Sequence, residues 1–334
     1  MDKRGSLLIL AIWVLLLLAL FTSVVGRIVQ GKLKMAQTFE TKSKLRYIAE
    51  AGVQKAIQVL AMKDVQSQLP DVLNDGWSVN ESAFHEIPVG DGYFTVGYQI
   101  GNTVYSGMID EESKISLRLI TSARILSNLF QLAGGLSKEE AAHIAYALLD
   151  CMDEDDHAYE AGAEKKYYMR LKPPYQPKNE PLDILEEMNF IRGMTPAIYE
   201  RLSPYLTLYG SGLLNLNTAS PIILVSIGMS ESLVKKILRF RAGEDGVERT
   251  PDDHYFISLS SVAETLQNAF PLDDSEAQSL HDYVQSGLLT LQSSAYTVQS
   301  LARLRNRSEA LLINCVTTRT GDILYWHEKF LSAN

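Results

Sequence analysis

Between Arg4 and Arg27 the chain carries no charge for 22 residues, Gly5 to Gly26, a run dominated by Leu, Ile, Val and Ala. A helix of that length rises about 33 Å, which matches the hydrocarbon core of a bilayer. The run exceeds the roughly 7 to 15 apolar residues of a secretory signal, although the small residues from Thr22 to Gly26 keep a cleaved signal as the rival reading. Arg27 to Leu60 contains no proline, and Ile48, Ala51, Gly52, Ala56, Val59 and Leu60 recur at helical spacing. The spacing predicts one helix from about Ser6 to about Met62, roughly 85 Å long. Such length calls for packing partners. Lys3 and Arg4 before the span and Arg27, Lys32 and Lys34 after it leave orientation open, because large downstream domains translocate largely regardless of local charge.

The remaining residues are enough for a large packed body. The chain has 334 residues, 46% hydrophobic, with a net charge of -9. Residues 1 to 48 carry eight Lys/Arg and two Asp/Glu, so the body beyond them is strongly acidic, which argues against a nucleic-acid surface. Cys151 and Cys315 allow one disulfide at most and leave the redox compartment undecided.

From Gly92 to Leu119 the pattern is strand-like, with Phe94, Val96 and Tyr98 alternating. From Ile120 to about Leu289 helical periodicity dominates, and Ser137 with Glu140 reads as a capping box. Pro173, Pro174, Pro177 and Pro181 predict an extended stretch inside that block. Alternation returns through 296–304, 310–318 and 323–331, with a hairpin turn at Thr320, Gly321 and Asp322. Strands, helices and strands again predict an α+β protein in which an antiparallel sheet, with the N-terminal helix packed on it, is interrupted by a large inserted α-helical domain. The boundaries expected are 6–62 for the helix, 63–119 with 292–334 for the sheet domain, and 120–291 for the insert.

A charged leader ending in Gly5, an apolar segment from Ser6 and an amphipathic continuation resemble the type IV prepilin class. That class carries a glutamate at the fifth mature position, where this chain has Leu10. The blocks DEESKISL from Asp110, LLDCMDEDD from Leu148, GAEKKYY from Gly162, KPPYQPKNEPLDILEEM from Lys172, GMTP from Gly193 and YGSGLLNLNTASP from Tyr209 resemble a subclass in which that loss is usual, the protein K family of the type II secretion system. The resemblance implies a pseudopilin fold and cleavage of a leader, residues 1–5, by a prepilin peptidase between Gly5 and Ser6, with methylation of Ser6. It also implies a single-pass protein of the inner membrane with its body in the periplasm. The implied partners are the minor pseudopilins I and J, other pseudopilins and inner-membrane secretion components.

Asp150, Asp153, Glu154, Asp155, Asp156, Glu160 and Glu164 place seven carboxylates in fifteen residues. Counted from Asp153, Asp155 and Glu164 fall at positions 3 and 12 of a calcium loop, but His157 and Ala158 break the EF-hand pattern at 5 and 6. Spacing alone favours a solvated acidic turn closing a helix. The resemblance implies Ca²⁺ in this region, and because a short loop lets neighbouring carboxylates converge, the expected ligands are Asp150, Asp153, Asp155, Asp156 and Glu164, with Glu160 as a secondary one. Lys165 stands where the family has an acid, so one ligand set is incomplete. His143, Cys151 and His157 lack zinc spacing. Ser211 is no nucleophile elbow, and no triad is legible. The helix–turn–helix reading of residues 193–221 favours structure over DNA, with Asn215 and Asn217 bonding the turn and Thr218 or Ser220 capping the next helix. The functional expectation is a non-enzymatic minor pseudopilin at the tip of a secretion pseudopilus. The alternatives are a minor pilin of a type IV pilus and a membrane-anchored periplasmic metal-dependent hydrolase or binding protein.

Overall fold

The structure is a computed structural model that describes residues 3–62, 69–119 and 122–331, with side chains from Leu10 onward. Helix α1 (Lys3–Met62) runs unbroken for 60 residues, as the absence of proline allows. Its apolar stretch has a mean hydropathy of 2.3 and none of it is buried. Beyond residue 41 one face turns inward. Leu45, Ile48, Ala49, Val53, Ala56 and Leu60 are fully or almost fully buried, and Gly52 lies among them. Ala51 and Val59, expected in this stripe, are only half-buried at its rim. The contacting face follows the series 45, 48/49, 52/53, 56 and 60, the spacing of three and four residues that stacks side chains on one side of a helix.

After the short α2 (Glu81–Phe84) come β1 (Ile87–Val89), β2 (Gly92–Val96), β3 (Tyr98–Ile100), β4 (Thr103–Tyr105), β5 (Ile109–Asp110) and β6 (Ile115–Ser116). The helical insert holds α3 (Ala123–Leu132), α4 (Lys138–Met152), α5 (Lys165–Tyr168), α6 (Pro196–Leu202), α7 (Pro221–Ser226), α8 (Glu231–Arg241), α9 (Val262–Ala269) and α10 (Asp274–Gln285). Between and after them lie the short strands β7 (Leu206–Thr207), β8 (Leu214–Asn215) and β9 (Leu289–Thr290). The chain ends in β10 (Ala295–Leu304), β11 (Ala310–Thr318) and β12 (Ile323–Leu331).

The main sheet runs β1-β2-β10-β11-β12, with β5 also paired to β10, and every pairing in it is antiparallel. Thr318, Thr320 and Asp322 close the last hairpin: Asp322 Oδ2 accepts from the Thr320 hydroxyl at 2.7 Å. Helix α1 covers the face that carries Tyr296, Val298 and Ala302. Arg46 pairs with Glu328 at 2.7 Å, and Lys42 lies 5.0 Å over the Phe330 ring, so α1 is tied to β12 as well.

Two cores result. One joins α1 to the sheet and contains Cys315; the other lies between Ile115 and Leu291 and contains Cys151. Both thiols are free. Two parallel strand pairs, β6 with β7 and β8 with β9, stitch the start and end of the insert. The proline-rich stretch packs rather than dangles: Tyr175 meets Tyr168 in a tilted pair with ring centroids 5.1 Å apart, and Leu182 is buried.

Candidate metal centre and buried carboxylate junction

Helix α4 starts at the capping box of Ser137 and Glu140 and ends by delivering its carboxylates to a loop. Asp150 lies fully buried in its last turn and Asp153 is its C-cap. Eleven residues on, Glu164 caps α5, its side chain accepting from the Lys165 backbone at 3.3 Å. One oxygen from each of Asp153, Asp155 and Glu164 falls within 4.8 Å of the other two. Asp150 supports the loop through Oδ1, which accepts from the Tyr159 backbone at 3.2 Å. Gly162 passes over it so closely that a Cβ would stand 1.8 Å from Asp150 Oδ2. Only a residue without a side chain fits there.

Several of these oxygens have no donor. Asp150 Oδ2, Asp153 Oδ1, Glu164 Oε1 and Asn179 Oδ1 are buried without a hydrogen-bond partner. Burial, backed by the neighbouring carboxylates Asp150, Asp153 and Asp156, pushes Glu164 up to about 7. Burial also raises Asp150 and Asp153. The hard oxygens of Asp150, Asp153, Glu164 and Asn179 left without donors are of the type Ca²⁺ takes, so the residues present fit that ion. Asp156 lies at the edge, with Oδ1 accepting from Asn179 Nδ2 at 3.2 Å, and Glu160 is exposed. Asn179 also donates to the Asp155 carbonyl at 2.7 Å. Sequence reading missed it because it arrives from the proline-rich stretch. The predicted processing site, Gly5 and Ser6, lies within α1; its side chains and Met1 and Asp2 of the leader fall outside the described residues.

A second constellation went unread in the sequence. Asp71, Asp110, Glu111 and Glu112 are all at most 2% exposed and sit where the two cores meet. Asp71 pairs with Arg319 at 2.6 Å, and Glu111 pairs with Lys114 at 2.5 Å. Glu112 accepts from the Ser211 backbone at 2.8 Å and the Ser294 hydroxyl, which gives the YGSG block a structural role. Asp110 Oδ1 accepts from the Glu112 backbone at 2.8 Å, and Oδ2 accepts from Thr218 and Asn215. Burial and the Glu112 charge push Asp110 up to about 8. Asn215 bonds its turn through Asn217 N, as expected, but also reaches the Asp71 carbonyl and Ser293. Ser220, not Thr218, caps α7. Thr218 is drawn off by Asp110.

The architecture is thus a long N-terminal helix, apolar and bare over its first half and packed on an antiparallel sheet over its second, with a large helical insert. Residues 116–211 match the family model described as type II secretion system protein K. Type II secretion system protein K of Klebsiella pneumoniae is 32% identical over 114 residues, covering 34% of this chain and 33% of that protein. Putative type II secretion system protein K of Escherichia coli K12 is 22% identical over 65% of each. The alignments thus span between one third and about two thirds of these two curated relatives. A chain in the crystal structure of the GspK–GspI–GspJ complex from enterotoxigenic Escherichia coli shares the fold, with a TM-score of 0.66 and 16% identity over 88% of this chain and 99% of that one.

Proposed function

We propose that the chain is a minor pseudopilin of a type II secretion system, held in the inner membrane by α1 with its body in the periplasm. It assembles with the minor pseudopilins I and J at the tip of the pseudopilus, and its role is structural rather than enzymatic. The observation that carries this reading is one continuous helix that is unburied over its apolar half yet fixed to a sheet over its other half. Such a helix offers a face for neighbouring helices in a filament. In pilins with a glutamate at the fifth mature position, that carboxylate can neutralise the terminal amine of an adjoining subunit, since an unpaired charge among apolar helices is costly. Leu10 provides no such partner, which suits a subunit with none above it. The bulky insert suits the same place and disfavours a buried position in a type IV filament.

The acidic loop is proposed to hold Ca²⁺ through Asp153, Asp155 and Glu164, with Asp150 beneath them. Bound there, the ion would neutralise their mutual repulsion and fasten the end of α4 to the start of α5. Deleting the gene should leave folded export substrates in the periplasm, and the full chain should restore their release. Unchanged export in the deletion strain would refute the role. Mass spectrometry of the mature chain should find an N-methylated Ser6; an intact leader in cells with active prepilin peptidase would count against the class.

A further inference from the structure

The seam between the two cores holds a cavity of about 340 Å³ that none of these roles uses. Trp77, Tyr98, Ile100 and Met108 line one side, and Tyr205 and Arg249 come from the insert. Arg249 has φ +74°, a left-handed conformation that residues with a Cβ avoid and that persists only where the surroundings impose it. Asp253 does so, its Oδ2 accepting from the Arg249 backbone at 2.7 Å. The result is a fixed guanidinium: Nε donates to the Tyr98 hydroxyl at 3.1 Å, and the group lies 4.8 Å over the Tyr105 ring.

This cation has a distant and shared counter-ion. Its side chain is 14% exposed, and among the described residues the carboxylate within ion-pair reach is Glu248, at 4.0 Å. Glu248 itself faces Arg241 at 2.5 Å. Asp110 also lines the cavity, but its oxygens are taken up by Glu112 N, Thr218 and Asn215. A guanidinium withdrawn from water and aimed along an aromatic wall is complementary to an apolar ligand that ends in a carboxylate.

A neighbouring cavity of about 410 Å³ shares Tyr98, Gln99, Ile109 and Pro204 with the first. Its lining includes the cross-strand pair Gln299 and Asn314, with Glu111, Lys114 and Glu186. Asn314 Oδ1 is buried there with no hydrogen-bond partner, an acceptor suited to a backbone N–H. We infer that this seam binds the carboxyl-terminal end of an extended apolar peptide, its terminal carboxylate on Arg249 and its preceding residues over Gln299 and Asn314. The inference is independent of the secretion reading.

The test uses the full chain in nanodiscs and a fluorescently labelled apolar tetrapeptide, as free acid and as C-terminal amide, followed by anisotropy. The free acid should bind at least tenfold more tightly. Arg249→Asn removes the guanidinium while keeping a residue that tolerates positive φ, and it should abolish the difference between acid and amide. Asn314→Ala should weaken both forms several-fold. Equal affinity of acid and amide, a preference that survives Arg249→Asn, or no binding at millimolar peptide would overturn the inference. So would phenylacetate binding as tightly as the peptide, since that acid fills the first cavity alone.

Discussion

The Ser300 hydroxyl on β10 donates to the Ala49 carbonyl on α1 at 2.8 Å, joining residues 251 apart in sequence. Helix and sheet approach closely here, and Gly52 permits it. A Cβ at residue 52 would stand 2.1 Å from Ser300 Oγ and 3.0 Å from the Phe94 ring. Gly52→Ala gains up to about 1 kcal/mol of helix propensity but overpacks the contact at about 1–3 kcal/mol. The variant should therefore melt lower than the parent in a thermal scan. A higher midpoint would mean that the helix is not seated as described.

Stability should depend on pH through Asp110. Its folded-state value, about 8, lies above the ordinary 3.8 because burial and Glu112 disfavour the charge. The folded protein therefore holds a proton that the unfolded chain gives up, and the stabilisation from this group is complete below the ordinary value and lost as pH rises toward 8. Asp110→Asn keeps the shape of the protonated acid, so it should flatten this part of the fall between about pH 4 and 8. Denaturant midpoints measured across that range for both proteins decide it; parallel slopes would place the pH dependence elsewhere.

Calcium should raise the melting point of the full chain, and chelator should lower it. An ion that binds only the folded loop stabilises by mass action, about 2.7 kcal/mol at a hundredfold excess over its dissociation constant. Glu164→Gln and Asp153→Asn should each shrink the calcium-dependent shift. Gly162→Ala should do the same by forcing Asp150 aside. Identical midpoints with calcium and with chelator would leave only a solvated acidic turn.

What could be read in advance was what is local. The uncharged run, the Ser137 capping box and the alternation of β10 to β12 depend on neighbours a few residues away, and they appear close to where the pattern places them. Asp153, Asp155 and Glu164 lie within twelve residues of one another, so their nearness is local too. The carboxylate junction was not, since Asp110 meets Thr218 across 108 residues and Glu111 meets Thr297 across 186. The DEES block carries no periodicity that announces burial, and charged residues are expected outside. Asn179 and Arg249 escaped notice because their importance lies in backbone conformation and in partners brought by the fold.

The proposed function sets this chain inside an assembly of minor pseudopilins. Affinity purification of the tagged full chain from membranes, with the pulled-down proteins identified by mass spectrometry, tests it most directly. Minor pseudopilins I and J of the same system should co-elute with the chain as one complex through size exclusion. Elution of the chain without either of them at micromolar concentration would contradict the account.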